Sequence, residues 1–352
     1  MRRGAESDRI LNNQGPTLTI GLVNNMKDSA LKATERQFTS LLDAASRDVT
    51  IQLRLYQLPG VLRKETVSSA SGRYSEIDAI REDPLDGLIV TGREPSTPRL
   101  QDEPYWSSFT QLLDWAHDHT FSTIWSCLAA HAAVLHLDGI TRIRSIRKEC
   151  GLFECDLLSN HPMTAGAPSR VRMPHSRWNG LDESELRNRG YHILTRSDCV
   201  GVDAFVRQSR SLFVFFQGHP EYEANTLLLE YRRDVARYLR GEAAAYPSLP
   251  EAYFDDVTSE RLLEIGREAR LFPREELLSR ISAILGQTQL HNSWQATAVS
   301  LYRNWLSYLT SAKESAKDRS SDASTPTGSA ARINSDRAVA SRMASPAVQF
   351  IQ

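Results

Sequence analysis

Short apolar runs alternate with amphipathic stretches over the first 140 residues, which is typical of parallel strands connected by helices. The predicted strands cover residues 17–23, 50–56 and 86–92, and a fourth run ends at Cys127. Helical spacing of apolar residues predicts helices at about residues 29–45, 105–117 and 128–137. Strands that are apolar along their whole length are buried on both faces. We therefore expect an α/β fold with a mainly parallel sheet and helices on both faces.

The pattern is less regular in the second half of the chain. Residues 148–189 are predicted to be rich in loops. Further strands, some of them antiparallel, are predicted at residues 193–194, 200–206 and 212–216, and helices at residues 221–239, 258–285 (broken at Phe272-Pro273) and 294–309. The polar residues 1–16 are expected to be a flexible arm, and residues 313–352 a disordered tail of low complexity. The working part of the chain is then one domain over residues 17–312.

Composition and charge argue against several classes of protein. The chain has 352 residues, 41% hydrophobic and 24% charged, and its net charge of -1 gives no reason to expect a nucleic-acid or membrane partner. No apolar run approaches the ~18 residues of a membrane span, and the first residues do not resemble a secretory signal. The four cysteines, Cys127, Cys150, Cys155 and Cys199, are not spaced as metal ligands or as a dense disulfide framework. We expect a cytoplasmic protein with reduced thiols, no metal and no cofactor.

Two sites along the chain carry the candidate chemistry. Cys127 lies between a predicted strand and a predicted helix, where the positive end of the helix dipole favours a thiolate and free N–H groups can hold an oxyanion. His219 and Glu221 follow the apolar run 212–216. Thiol, imidazole and carboxylate are the parts of an activated nucleophile, which indicates acyl transfer through a thioester. The alternatives are a buried structural cysteine and a helix entrance at Pro220 with Glu221 complementing the dipole.

Several other stretches of the chain, together with these residues, match the sequence pattern of one known protein family. They are Leu22-Val23-Asn24-Asn25-Met26, Ala33-Thr34-Glu35-Arg36-Gln37-Phe38, Asp86-Gly87-Leu88-Ile89-Val90-Thr91-Gly92, Tyr105-Trp106, Pro174-His175-Ser176-Arg177, Gly218-His219-Pro220-Glu221-Tyr222, Glu230-Tyr231-Arg232-Arg233-Asp234 and Asn304-Trp305-Leu306. Through them the chain resembles the homoserine O-succinyltransferase family, which includes O-acetyltransferase members, over about residues 17–310. The resemblance implies a flavodoxin-like fold of the class I glutamine amidotransferase type, and a homodimer.

The resemblance also implies roles for single residues. Cys127 matches the acyl-thioester nucleophile, His219 the general base and Glu221 its partner carboxylate, and Lys148, Ser176 and Arg233 match substrate-binding positions. The implied reaction is ping-pong transfer of a succinyl group from succinyl-CoA, through an acyl-cysteine, to the hydroxyl of L-homoserine in methionine biosynthesis. An arginine such as Arg233 can grip the acceptor's carboxylate with two hydrogen bonds. The alternative for Arg233 is an ion pair with Glu230 on a helix surface.

One loop of the family helps select the acyl group, where a small residue accompanies succinyl and a glutamate accompanies acetyl. That position is Ser96 here, which permits succinyl, because a glutamate would repel the free carboxylate of the succinyl group. Arg93 or Arg99 is a candidate partner for that carboxylate. The stretch 27–32 lacks the family's usual proline, and Leu128 and Ala129 follow the nucleophile where tryptophan is common.

Other functions remain open on the sequence alone. The chain could use acetyl-CoA or a different hydroxy amino acid such as serine. A glutamine amidotransferase-type hydrolase is less favoured, because such enzymes place glycines around the nucleophile and this chain has Trp125 and Ala129 there. Intact Cys127, His219 and Glu221 argue against a binding protein without activity. His131, His175, Cys150 and Cys155 are interpreted as bystanders.

Overall fold

The computed structural model describes residues 9–11, 15–61 and 74–323. Within them, eleven strands form one mixed sheet in the order β1-β3-β2-β5-β6-β11-β10-β9-β7-β8, with β4 also beside β3. The strands are β1 Arg9–Leu11, β2 Thr17–Val23, β3 Thr50–Gln57, β4 Tyr74–Glu76, β5 Gly87–Thr91, β6 Ser122–Ser126, β7 Ile143–Leu157, β8 Arg170–Gly180, β9 His192–Ser197, β10 Gly201–Gln208 and β11 Leu212–Phe216. The helices are α1 Asp28–Ala45, α2 Trp106–His119, α3 Leu128–Asp138, α4 Glu183–Asn188, α5 Thr226–Leu239, α6 Asp256–Leu271, α7 Glu276–Gln287 and α8 Gln295–Ala323.

The first half of the chain confirms the predicted α/β fold. Strands β4, β3, β2, β5, β6 and β11 lie side by side in that order and are parallel to one another. Alternate residues of each strand point to opposite faces, so each face has its own core. One core contains Phe38 of α1 and Trp305 of α8, and the other contains Phe109 of α2 and Val134 of α3. Helices therefore cover both faces of the sheet.

The largest error concerns residues 148–189, which were predicted to be rich in loops. They contain most of the long antiparallel pair β7–β8 and the short helix α4. Charged residues occur throughout β7, and its first half is largely exposed, so it lacks the apolar run that marks a buried strand. The predicted antiparallel members are present, since β10 pairs with β11 and β9 with β10 in that sense.

Three boundaries also differ from the sequence predictions. Residues 9–11, inside the predicted flexible arm, form β1 against β3. Helix α5 begins at Thr226 rather than at residue 221, because residues 219–225 form a turn. Helix α8 continues to Ala323 and so enters the predicted disordered tail, whose residues 324–352 lie outside the described part. The chain separates into two units, Met1–Glu314 and Ser315–Gln352.

Candidate active site

Three neighbouring parallel strands deliver the candidate residues to one edge of the sheet. Thr91 at the end of β5 and Phe216 at the end of β11 both pair with Ser126 at the end of β6. The next residues along the chain, Gly92 and Cys127, therefore leave the sheet at the same level, and His219 follows β11 by three residues. Carboxyl ends of parallel strands are where α/β proteins place their ligands.

Cys127 forms a sharp turn between β6 and α3. Its backbone angles are φ 53° and ψ −112°, a conformation that L-residues rarely adopt. Its N–H donates to the carbonyl of Phe216 at 2.7 Å, and its own carbonyl accepts from the N–H of Ala130 at 2.9 Å. The turn is thus fixed from both sides, and it directs the side chain away from the sheet at the start of a helix. Strain of this kind is characteristic of a nucleophile held in place by its surroundings.

Gly92 packs directly on the first turn of α3. A Cβ atom built on Gly92 would lie 2.6 Å from the backbone N of Leu128 and 2.9 Å from that of Ala129. These two N–H groups open the helix, where backbone donors have no intrahelical acceptor. Only a residue without a side chain lets β5 approach them this closely, so Gly92 shapes the space in which an oxyanion beside Cys127 would lie.

We expect Gly92→Ala to lower turnover roughly 100-fold, because a shift of about 1 Å at the start of α3 misplaces the nucleophile. Overpacking should also cost about 1–3 kcal/mol in the free energy of unfolding. Steady-state kinetics and urea unfolding measure the two effects. Gly286→Ala in α7 is the matched control, since its added Cβ meets no atom within 4 Å. Equal turnover in both variants would show that the contact between Gly92 and α3 does not matter for activity.

His219 and Glu221 form a buried hydrogen-bonded pair. The Nδ1 atom of His219 lies 2.8 Å from Oε1 of Glu221, which also accepts from the hydroxyl of Ser126 at 3.3 Å. Burial lowers the pKa of His219, but the charges of Glu221 and Cys127, and hydrogen bonds to both, outweigh burial and raise that pKa well above its usual value. Glu221 therefore lies in a turn facing the imidazole, and the alternative in which it caps a helix is wrong because α5 begins only at Thr226.

Tyr222 links this pair to a second polar cluster. Its ring stacks on the imidazole of His219 with centroids 4.2 Å apart, and its hydroxyl donates to Oε1 of Glu230 at 3.0 Å. Glu230 also accepts from the hydroxyl of Ser176. Lys148 lies between two carboxylates, 3.0 Å from Oδ2 of Asp234 and 3.9 Å from Oε2 of Glu230. Two residues predicted to bind substrate, Lys148 and Ser176, thus meet in one cluster.

Arg233 lies beside this cluster but is more exposed. Its guanidinium lies 2.8 Å from the carboxylate of Asp234, its neighbour in the chain. Burial lowers the pKa of Arg233, but the charges of Glu230, the partner in the alternative interpretation, and of Asp234 outweigh burial and raise it. Burial raises the pKa of Asp234, but Lys148 and Arg233 outweigh burial and lower it. The side chain of Arg233 is 55% exposed, so part of its fork faces the open space above the cluster.

One large cavity connects the two groups. It has a volume of about 830 Å³, and its lining includes Cys127, His219, Glu221, Lys148, Ser176 and Arg233. Six of the seven predicted site residues therefore meet at one space. Their functional roles remain predictions. Cys127 and Arg233 are more than 100 residues apart in the chain, so the meeting of these residues at a single cavity could not be derived from the sequence spacing.

Ser96 is the exception, because it does not line this cavity. Its N–H and hydroxyl both donate to the carboxylate of Glu103, at 2.6 and 2.9 Å, and Thr97 donates to the same carboxylate twice. Burial raises the pKa of Glu103, but these hydrogen bonds from Thr97 and Ser96 outweigh burial and lower that pKa. Ser96 thus holds the loop in shape, and its predicted role in acyl selection remains a prediction.

Known proteins of one family are similar to this chain over most of its length. A family model described as homoserine O-succinyltransferase matches residues 4–316. A homoserine O-succinyltransferase of Rhodopseudomonas palustris is 45% identical over 295 residues, covering 84% of this chain and 89% of that protein. One of Bradyrhizobium japonicum is 48% identical over 297 residues, covering 83% and 90%. The chain belongs to the homoserine O-succinyltransferase family. A solved glutamine amidotransferase of Methylobacillus flagellatus aligns with a TM-score of 0.45 and 16% identity, covering 84% of this chain and 96% of that one.

The sequence analysis assigned no role to several residues that lie at the site of this homoserine O-succinyltransferase family member. Tyr222 and Glu230 lie inside matching stretches, yet nothing in their spacing shows that one ring stacks on the base while its hydroxyl reaches the other. The separation of Glu230 and Asp234 by four residues does place both carboxylates on one face of α5, and a lysine opposite would have been a reasonable expectation. Lys148 comes from β7, the strand that the sequence did not reveal.

A buried group behind the site could be considered for a metal ion. Ligand atoms of Cys155, His175 and Asp203 all lie within 4.8 Å of one another. However, Nδ1 of His175 accepts from Nε of Arg177 at 3.2 Å, which assigns the ring proton to Nε2, and Nε2 lies 3.2 Å from Oδ1 of Asp203. Burial lowers the pKa of His175, so the ring stays neutral. Nε2 of His175 and Oδ1 of Asp203 have no hydrogen-bond partner among the described residues, but the charge of the adjacent Arg177 disfavours a cation between them.

The remaining bystanders are also accounted for. His131 lines the cavity, but its Nε2 bonds to Gln217 at 2.9 Å and burial lowers its pKa to about 3, so it remains neutral. All four cysteines are free. Within the part of the chain that the structure describes, no helix combines the length and apolar character needed to cross a membrane.

Proposed function

We propose that this protein transfers a succinyl group from succinyl-CoA to the hydroxyl of L-homoserine, a step of methionine biosynthesis. One observation carries the proposal: three features meet in the same cavity. They are the strained Cys127 at the start of a helix, the buried His219–Glu221 pair in which the pKa of the imidazole is raised, and a cluster of charged side chains. The names of the curated relatives supply homoserine and the succinyl group, and CoA as the carrier of that group is part of the proposal. Succinyl-CoA is a co-substrate here, and the chemistry requires no further cofactor.

The first half-reaction forms the acyl-enzyme. The Cys127 thiolate attacks the thioester carbonyl, and the negative charge that develops on oxygen is stabilised by the N–H groups at the start of α3, next to Gly92. The tetrahedral intermediate collapses with cleavage of the bond to the CoA sulfur. That sulfur takes the proton of the His219 imidazolium, and Glu221 keeps the ring oriented by its hydrogen bond to Nδ1.

The second half-reaction transfers the acyl group to the acceptor. Neutral His219 takes the proton of the homoserine hydroxyl, the oxygen attacks the acyl-cysteine carbonyl, and Cys127 leaves as thiolate. The exposed part of the Arg233 fork suits the acceptor's carboxylate, and Glu230 and Asp234 suit its ammonium group. Lys148 balances these two carboxylates when no acceptor is bound. A homodimer and a cytoplasmic location remain expectations.

The test is release of CoA from succinyl-CoA by the purified full chain, with homoserine, serine or no acceptor. We expect release that depends on homoserine, and a protein mass increased by one succinyl group when the acceptor is omitted. If acetyl-CoA is the better donor, the proposed acyl group is wrong. If serine is the better acceptor, the proposed second substrate is wrong. Glutamine hydrolysis without acyl transfer would contradict the proposal and indicate an amidotransferase-type hydrolase.

A further inference from the structure

We infer that Arg93, supported by Arg142, is the receptor for the free carboxylate of the acyl group, so that the cavity selects a dicarboxylic acyl donor. This inference rests on the proposed function and deepens it. It differs from the sequence prediction, in which the neighbouring Ser96 selects the donor and Arg93 and Arg99 are equal candidates for the carboxylate.

Arg93 starts next to the place where acyl transfer would occur. It follows Gly92, whose backbone packs on the first N–H groups of α3. Successive Cα atoms are about 3.8 Å apart, so the Arg93 side chain begins within one residue of the oxyanion position. The side chain lines the cavity. Its length lets it reach groups attached to an acyl carbon on Cys127 without changing the nucleophile itself.

The guanidinium of Arg93 lacks a protein partner on its inner side. Its Nε atom is buried and has no hydrogen-bond acceptor among the described residues, and no ion pair to a described carboxylate involves Arg93. A buried N–H of a charged group without an acceptor is costly, and such groups are nearly always satisfied. A ligand oxygen would satisfy this one.

Each carboxylate that lines the cavity already has a partner, including Glu242, which pairs with Arg240. Glu94 pairs with Lys27, Glu221 with His219, and Asp234 with Lys148 and Arg233. Glu230 accepts from Ser176 and Tyr222. Arg93 is therefore left for an anion that enters with the substrate.

Arg142 adds a second cation to the same side of the cavity. Its one hydrogen bond to a described residue is long, 3.5 Å to the carbonyl of Pro98. Burial and the nearby charge of Arg144 lower the pKa of Arg142, while Tyr105 and Glu103 partly offset them. Burial and Glu103 raise the pKa of Tyr105 to about 12, while the charges of Arg93 and Arg142 act to lower it. Both arginines therefore lie close enough to the Tyr105 ring to affect its hydroxyl. Two guanidinium groups on one wall of the cavity can form charge-assisted hydrogen bonds with a carboxylate, whereas the methyl group of an acetyl donor offers no acceptor for them.

Arg99 provides a matched control from the same loop. Its side chain is 69% exposed, lies 3.9 Å from Oδ2 of Asp102 and does not line the cavity. An Arg99→Gln variant removes the same charge from nearly the same part of the chain without touching the wall beside Cys127. Any long-range electrostatic effect of the lost charge should therefore appear equally in Arg93→Gln and Arg99→Gln.

The experiment compares wild type, Arg93→Gln, Arg93→Lys and Arg99→Gln. We expect kcat/KM for succinyl-CoA to fall roughly 100-fold in Arg93→Gln, since a charge-assisted pair in a partly buried site is lost, with less than about a threefold change for acetyl-CoA. Arg93→Lys should recover part of the loss, and Arg99→Gln should behave as wild type. Equal losses with both donors, or no loss, would overturn the inference.

A second readout does not depend on turnover. Succinate should slow alkylation of Cys127 by iodoacetamide in wild type and in Arg99→Gln more than acetate does, and this difference should vanish in Arg93→Gln. If wild type transfers no succinyl group but succinate still protects Cys127 through Arg93, the proposed function fails and the carboxylate site stands. If succinate protects wild type and Arg93→Gln equally, the carboxylate site fails whatever the transfer assay shows.

Discussion

Cys127→Ala should abolish acyl transfer, with a loss of at least ~10⁴-fold in kcat, because both proposed half-reactions pass through the sulfur of Cys127. Cys150 is the other thiol in the cavity lining, and burial raises its pKa to about 11, so it remains protonated near neutral pH. Its nearest ionised neighbours are Lys148, Glu230 and Asp234, rather than an imidazole. The protein mass after incubation with succinyl-CoA should therefore stay unchanged in Cys127→Ala.

Cys150→Ala is the matched control, since it removes a buried thiol from the same cavity. It should still form the acyl-enzyme in full. A succinylated Cys127→Ala protein, or an unmodified Cys150→Ala protein, would assign the nucleophile to Cys150 instead. The imidazole offers an independent check. Cys127 helps to raise the pKa of His219, so that pKa, followed by NMR, should fall in Cys127→Ala.

The sequence was most informative where burial is complete. Strands β2, β5, β6 and β11 are buried along almost their whole length and were located to within one or two residues, because each contains a short apolar run. Once these strands are parallel, the positions of Gly92, Cys127 and His219 at a common edge follow from topology. The catalytic half of the site was therefore predictable from local patterns together with one rule about sheets.

The substrate half of the site was less predictable, for a physical reason. Lys148 and Ser176 lie on β7 and β8, which pair mainly with each other, and the start of β7 is largely exposed. Backbone hydrogen bonds between these two strands stabilise them without an apolar run, so charge masks the strand pattern. Their positions were inferred only from family resemblance. Likewise, the bond from Ser96 to Glu103 is a choice of loop conformation that local sequence does not determine.

The turn from Gly218 to Asn225 shows how a local misassignment can hide chemistry. A helix from residue 221 would have pointed the carboxylate of Glu221 along the helix surface. Instead, the N–H of Tyr222 bonds to the carbonyl of His219 at 3.1 Å, and the helix starts later, at Thr226. This tight turn brings a carboxylate two residues away back onto the imidazole and stacks the Tyr222 ring on it. Residues 218–222 thereby supply a base, its orienting group and a link to Glu230.

His219→Asn should reduce kcat by roughly 10⁴-fold or more, since both half-reactions need a proton transfer at this position. Cys127 would also lose the cation that favours its thiolate, so alkylation of Cys127 by iodoacetamide at neutral pH should slow. The matched control is His131→Asn, which removes a buried, neutral imidazole from the lining of the same cavity. We expect His131→Asn to cost no more than about tenfold. Comparable losses in the two variants would mean that cavity shape, and not proton transfer, explains the effect.

The Glu221→Gln variant tests how much the orientation of the His219 imidazole contributes to activity, since the imidazole that transfers the proton remains in place. We expect a smaller loss than in His219→Asn, roughly 10²- to 10⁴-fold, because the imidazole stays but its favoured tautomer and its charge lose support. Glu221 is the strongest of the groups that raise the pKa of His219, so the variant should have a lower imidazole pKa. The ion pair of thiolate and imidazolium is lost as pH rises through that pKa. The basic limb of kcat/KM for the acyl-CoA should therefore move to lower pH, and an unmoved limb would show that Glu221 does not set the charge of the base.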